Sequence, residues 1–292
     1  MSAVPDIAPT PATRTTDRAP TSSLDAVPAA PSDPGPLEQA LRRARAQGRK
    51  LIVPYVTGGL GDDWLDVVRG VADAGADAIE IGVPFSDPVM DGPVIQEASE
   101  RALRAGATPQ SVLEALRQHD AGVPLAVMTY YNIAFHMGLE RFAANLAEAG
   151  VAGAILPDLP LEEAGPWAVA ADAGGVETVM LAAPTAPDER LPRICARARG
   201  FVYAVGLLGV TGERTQLAES ATIIARRLKA VTDKPVLIGV GVSNAAQAVE
   251  ACQVADGVVI GSSVVRRMLA GDGPTGVAAY IAEVRTALDA GG

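Results

Sequence analysis

Short aliphatic runs alternate with longer amphipathic segments eight times along this chain. The runs lie at 51–57 (LIVPYVT), 78–83 (AIEIGV), 124–129 (PLAVMT), 153–157 (GAILP), 177–182 (ETVMLA), 201–205 (FVYAV), 235–240 (PVLIGV) and 257–261 (GVVIG). Nearly continuous apolar stretches of this length predict parallel strands buried on both faces. Helices are predicted between them over 62–74, 94–105, 139–149, 162–173, 188–198, 216–231, 244–251 and 263–270. Two more are expected, at 37–47 before the first strand and at 109–118 after the second helix. Asp62, Asp188 and Ser243 supply helix-start signals, and Gly75 and Gly150 supply stops. Alternating βα units with right-handed crossovers give an open doubly wound sheet or a closed barrel. Eight units within residues 37–290 predict a single α/β domain, a (β/α)8 barrel (TIM barrel) with an extra N-terminal helix. No GxGxxG follows the first strand, where TGGLGD (57–62) stands instead.

Residues 1–36 break the pattern. Eight are proline and four are Asp, with few large apolar side chains to offset the entropy of ordering them. They are expected to form a disordered extension, and they lack the apolar run of a secretory signal. The formal charge of −10 disfavours a nucleic-acid partner. No apolar stretch is long enough to span a bilayer. Cys195 and Cys252 are far apart in sequence, which speaks against a disulfide framework and for a reducing cytoplasm.

The active site of a β/α-barrel lies at the C-terminal ends of its strands. The seventh and eighth strands end in Gly239-Val240-Gly241-Val242-Ser243 and Gly261-Ser262-Ser263, and the latter runs directly into a helix. Backbone can approach a ligand closely there, and a helix start offers free N–H groups to an anion. Gly209-Val210-Thr211-Gly212, after the sixth strand, is a third loop of this kind. Such glycines either hold a phosphate or only make turns; three loops on one rim favour the phosphate. Glu80 interrupts an apolar strand. Alternation puts Ile79 and Ile81 on one face and Ala78, Glu80 and Gly82 on the other, at the barrel mouth. A carboxylate there is partly desolvated, which raises its pKa toward acid–base work. The structural alternative is a glutamate paired with an arginine or a backbone amide. Asp91 serves the same mouth or simply starts the next helix ahead of Pro93. Asp87 reads as a turn residue before Pro88. Asp158 ends the fourth strand, where it serves the pocket, a turn or a partner surface. The three lysines, Lys50, Lys229 and Lys234, fall before strands or in a helix, so a Schiff-base mechanism lacks its amine. His119 and His136 form no metal-ligand set with the carboxylates. Acid–base chemistry with no metal is the simplest reading.

The stretch 76–92, ADAIEIGVPFSDPVMDG, resembles the signature of the tryptophan synthase alpha chain family. PDLPLEE (157–163), GVTGER (209–214), IGVGVS (238–243) and IGSS (260–263) follow in that family's order, so the resemblance covers about residues 38–290. It implies a lyase of tryptophan biosynthesis that cleaves indole-3-glycerol phosphate to indole and glyceraldehyde 3-phosphate. Protonation at C3 makes the indole ring an electron sink, so the reaction needs neither a lysine nor a metal. The resemblance gives Glu80 the proton transfers and Asp91 the charge developing at the indole nitrogen. It gives Tyr203 a positioning role, and Gly212, Gly241, Gly261 and Ser262 the phosphate. Thr211 is implied to sit on a closing loop, within reach of Asp91. The implied partner is a beta chain in an α2β2 tetramer that takes up the indole. Pyridoxal phosphate would belong to that chain, and no cofactor to this one. Asp158 is implied to lie on the surface that signals to the partner. The first βα turn is Gly-rich where relatives have Gly-Asp-Pro, Gly206 stands where serine is usual, and the N-terminal extension is not part of the pattern. A related phosphate-binding lyase or isomerase is the competing enzyme, and a catalytically idle scaffold subunit the competing class.

Overall fold

A computed structural model describes residues 27–206, 214–239 and 241–291, with side chains 214–218 set aside. The first half of the chain runs α1 (Pro36–Ala46), β1 (Leu51–Thr57), α2 (Trp64–Asp73), β2 (Ile79–Gly82), α3 (Pro93–Arg104), α4 (Pro109–Arg117), β3 (Leu125–Met128), α5 (Tyr131–Met137), α6 (Leu139–Glu148) and β4 (Val151–Ile155). The second half runs α7 (Gly165–Ala173), β5 (Glu177–Ala182), α8 (Leu191–Arg197), β6 (Val202–Ala204), α9 (Arg214–Lys229), β7 (Val236–Ile238), α10 (Ala245–Cys252), β8 (Gly257–Ile260), α11 (Ser262–Ala270) and α12 (Gly273–Ala290). All eight strands pair in parallel and in chain order, and β8 returns to β1 to close the barrel.

The alternation expected along β2 is present. Ile79 and Ile81 pack outward against the helices with Ile52 and Val56, while Ala78 joins Val53, Ala126 and Leu237 in the interior. Thr57 and Tyr55 share the inward face of β1, opposite Gly82 and Glu80 in the register. At the far end α1 plugs the barrel with Leu37 and Leu41, both fully buried. Glu177, at the start of β5, fastens this plug. Its carboxylate accepts from the Leu37 and Glu38 amides at 2.7 and 3.0 Å, satisfying the free N–H groups of the first helical turn.

Two helices were not expected from the pattern, α5 and the 18-residue α12. The first is short and aromatic. The second follows the last strand, outside the alternation, and Pro274 is pre-organised for its first turn. Val277, Tyr280, Ile281, Val284 and Leu288 form its buried face, which packs along α2. The fourth strand begins at Val151 rather than 153, and α10 is capped by Asn244, whose side chain accepts from the Gln247 amide, rather than by Ser243. Asp63, not Asp62, precedes α2, and neither side chain caps it.

Of the expected N-terminal extension, residues 1–26 lie outside the described residues. Residues 27–35 run irregularly against the barrel underside: Val27 packs beside the α8–α9 cluster, and Arg199 donates to the Asp33 carbonyl at 3.4 Å.

Candidate active site at the barrel mouth

Glu80 projects into the barrel near its C-terminal end and is 1% exposed. Neither carboxylate oxygen has a hydrogen-bond partner among the described residues, so no described arginine or amide pairs with it. Burial, and then the nearby charge of Asp91, push its carboxyl up to about 8. An unpaired carboxyl group so far from water is held neutral at physiological pH, poised to give up a proton.

Asp91 reaches the same mouth from the long loop between β2 and α3. Gly92, not Asp91, is the N-cap of α3, with Pro93 in the first turn. The Asp91 carboxylate instead accepts from the Tyr130 hydroxyl at 3.2 Å. That hydroxyl in turn accepts from the Met90 amide at 2.9 Å, so Tyr130 clamps the loop and its carboxylate together. Phe85 stacks on the Tyr130 ring at 5.0 Å between centroids. Burial raises the Asp91 carboxyl, and the Tyr130 hydrogen bond counteracts this by favouring the ionised form. Two carboxylates are thus pushed to different degrees by their surroundings, the arrangement that divides acid from charge stabiliser. Tyr130→Phe is expected to move the low-pH limb of any Asp91-dependent activity to higher pH, lowering activity on that limb by roughly three- to tenfold. A pH–rate profile superimposable on wild type would refute that.

Two tyrosines line the mouth beside Glu80. Tyr203, on the interior of β6, lies where a side chain at Gly239 would be: a Cβ there would come within 2.0 Å of the ring. Tyr55, on β1, uses the space above Gly82 in the same way, with its hydroxyl 1.7 Å from the position of an added Cβ. Both are buried, and burial pushes both phenols well above their ordinary range, with Glu80 and Asp91 adding to the shift. They are neutral donors at any working pH. Tyr55 and Tyr130 are the two site residues that sequence patterning missed. Tyr55 lies within β1 and Tyr130 just past β3, where an aromatic side chain reads as core, whereas the charge of Glu80 breaks an apolar strand.

The glycine rim is partly described. Gly241 has φ +61, a left-handed conformation, with open space where a side chain would stand. Gly261 is the N-cap of the nine-residue α11, and Ser262, exposed, is its first residue. Ser263 is buried and donates to the Val242 carbonyl at 3.0 Å, tying the two loops together. Thr211 and Gly212 lie outside the described residues. Asp158 accepts from the Tyr131 amide at 2.9 Å, at the start of α5. Asp87 is exposed in the loop after β2 and accepts from the Ser86 hydroxyl. The lysines are engaged elsewhere, Lys50 on the Cys252 carbonyl at 2.7 Å, Lys229 on Asp256 at 2.8 Å and Lys234 on the Ala198 carbonyl. No set of three His, Cys, Asp or Glu placed to hold a metal occurs among the described residues. Nor is any described helix long and apolar enough to cross a membrane.

Comparison with known proteins agrees with the barrel fold. A Streptomyces avermitilis tryptophan synthase alpha chain is 47% identical over 237 residues, spanning 80% of this chain and 86% of the relative. A Thermobifida fusca tryptophan synthase alpha chain is 46% identical over 239 residues, spanning 80% and 88%. Among solved structures, a tryptophan synthase from M. tuberculosis in its aminoacrylate-bound form superposes with a TM-score of 0.79 at 35% identity, covering 87% of this chain and 99% of that one. The family model described as tryptophan synthase alpha chain matches residues 41–288. This barrel, with its buried glutamate and tyrosine-clamped aspartate, belongs to the tryptophan synthase alpha chain family.

Proposed function

We propose that the chain cleaves indole-3-glycerol phosphate by a retro-aldol reaction run on Glu80 and Asp91. The neutral Glu80 carboxyl gives its proton to C3 of the indole, which becomes an indoleninium. The resulting carboxylate takes the proton of the neighbouring chain hydroxyl as the carbon–carbon bond breaks. Its electrons return to the ring, releasing indole and glyceraldehyde 3-phosphate, and Glu80 is left protonated again. Asp91, ionised, stabilises the positive charge that develops at the indole nitrogen. Tyr203 positions the ring end. Gly241, Gly261 and Ser262, with Gly212 assigned from the family resemblance, grip the phosphate through backbone amides and the start of α11, and Thr211, assigned the same way, meets Asp91 as its loop closes. The observation that carries this reading is the buried, unpaired Glu80 carboxyl held at about 8 beside Asp91. No cofactor takes part in these steps.

A pyridoxal-phosphate-dependent beta chain is the proposed partner and recipient of the indole, in an α2β2 tetramer. Val89, Met90 and Phe135 are large apolar side chains left exposed beside the mouth, at 80%, 41% and 64%. They suit a docking face. Asp158 and Tyr130 flank the start of α5, which carries Phe135, so this face is wired to Asp91. Two buried free cysteines fit a cytoplasmic site of action. Incubation of the purified chain with indole-3-glycerol phosphate is expected to release indole, faster with a beta chain present. Absence of release under both conditions would remove the reading.

A further inference from the structure

Tyr55 spans the mouth between the two ends of the proposed site. Its Cβ lies 3.7 Å from where a Cβ on Gly261 would be, at the head of the phosphate rim. Its hydroxyl fills the side-chain position of Gly82, the next inward position above Glu80 along β2. Glycine at residue 82 is what makes that placement possible. The ring is anchored in a small cluster with Leu60, Ile95 and Val265, so the hydroxyl is held rather than free to swing. Tyr55 stands opposite Glu80 in the β1–β2 register, and both Glu80 and Asp91 act electrostatically on its phenol. No hydrogen bond joins it to either one among the described residues. The phenol is therefore a fixed neutral donor, lying between the anion-binding rim and the proton-transfer groups.

We propose that Tyr55 is a substrate-positioning residue whose hydroxyl hydrogen-bonds a hydroxyl of the carbon chain linking indole to phosphate. This rests on the reading of the substrate as an indole polyol phosphate. Such a ligand, stretched from the glycine rim to Glu80, carries its only uncharged chain hydroxyls at the depth of the Tyr55 oxygen. Fixing one of them orients the other, whose proton Glu80 removes, and selects against chains that lack them. A site built around a buried donor discriminates strongly when the matching hydroxyl is missing.

Tyr55→Phe keeps the ring and its packing and deletes only the oxygen. The experiment compares two ligands on wild type and variant: indole-3-glycerol phosphate as substrate, and an indole alkyl phosphate of equal chain length without hydroxyls as competitive inhibitor. The expected result is a loss of about tenfold in kcat/KM for the substrate, with the inhibition constant unchanged within about twofold. A merely structural role would weaken both ligands together. Equal weakening of both, or no change in either, overturns the proposal. Failure of the wild-type chain to turn over substrate is a separate outcome: it removes the substrate assignment, and this proposal with it.

Discussion

Glu80→Gln is expected to lower kcat for indole release by on the order of 10³, with KM changing less than about threefold. Glutamine has nearly the shape of the neutral carboxyl group and leaves the interior of the barrel filled. It has no proton to give to C3 and cannot accept one from the chain hydroxyl, so both transfers lose their agent. Binding is retained because the proposed grip on the phosphate and the indole nitrogen lies elsewhere in the mouth. The pH dependence follows from the same group. Wild-type kcat/KM, which reports the free enzyme, should fall as pH rises through about 8, because the acid then sits as a carboxylate. Asp91 must be ionised, so activity should also fall at low pH, over a range above the ordinary carboxylate pKa because burial raises this group too. The residual rate of the glutamine variant should lack the high-pH limb. A variant that keeps a tenth of wild-type turnover, or keeps that limb, would show that another group moves the proton.

How far this site was readable without coordinates depends on what each residue's neighbours in sequence reveal. Glu80 stood out because a charge inside IEIG breaks an apolar strand, and period-two alternation fixes its direction. The barrel followed from eight repeats of one unit, a signal that survives errors at single boundaries. The fourth strand was displaced by two residues because Val151 follows directly on the Gly150 stop, and Ala152 and Gly153 carry little strand signal. Helix α12 escaped because its partner, α2, lies some two hundred residues earlier in the chain. Asp91 could not be separated from a helix-starting aspartate by sequence alone. The difference lies in Tyr130, nearly forty residues away, whose hydroxyl claims the carboxylate. Tyr55 and Gly82 illustrate the same limit. Neither is unusual alone, and their relation exists only once β1 and β2 are in register.

The burial that makes Glu80 a useful acid should also be visible in stability, and with a definite sign. Below its ordinary value of 4.5 the carboxyl is neutral in both the folded and the unfolded chain. Between there and about 8 the unfolded chain loses this proton while the folded chain keeps it. The unfolded state then gains relative to the folded one by about 1.4 kcal/mol per pH unit. The contribution of Glu80 to stability is thus complete at low pH and is lost as pH rises through about 8, a total on the order of 5 kcal/mol. Glutamine does not titrate, so Glu80→Gln removes this slope. Urea unfolding of the two proteins should give similar stabilities at pH 5 and a clear advantage for the variant at pH 9. The other ionisable groups are common to both and cancel in the difference. Parallel stability profiles from pH 5 to 9 would mean that Glu80 is solvated in solution, leaving the proposed acid without its driving force. The opposite trend, with the variant losing ground as pH rises, would mean that the carboxylate finds a cationic partner in the folded chain. A substitution that abolishes turnover while stabilising the fold at alkaline pH would identify strain kept in place for chemistry, because an unpaired acid buried for packing alone has no reason to be there.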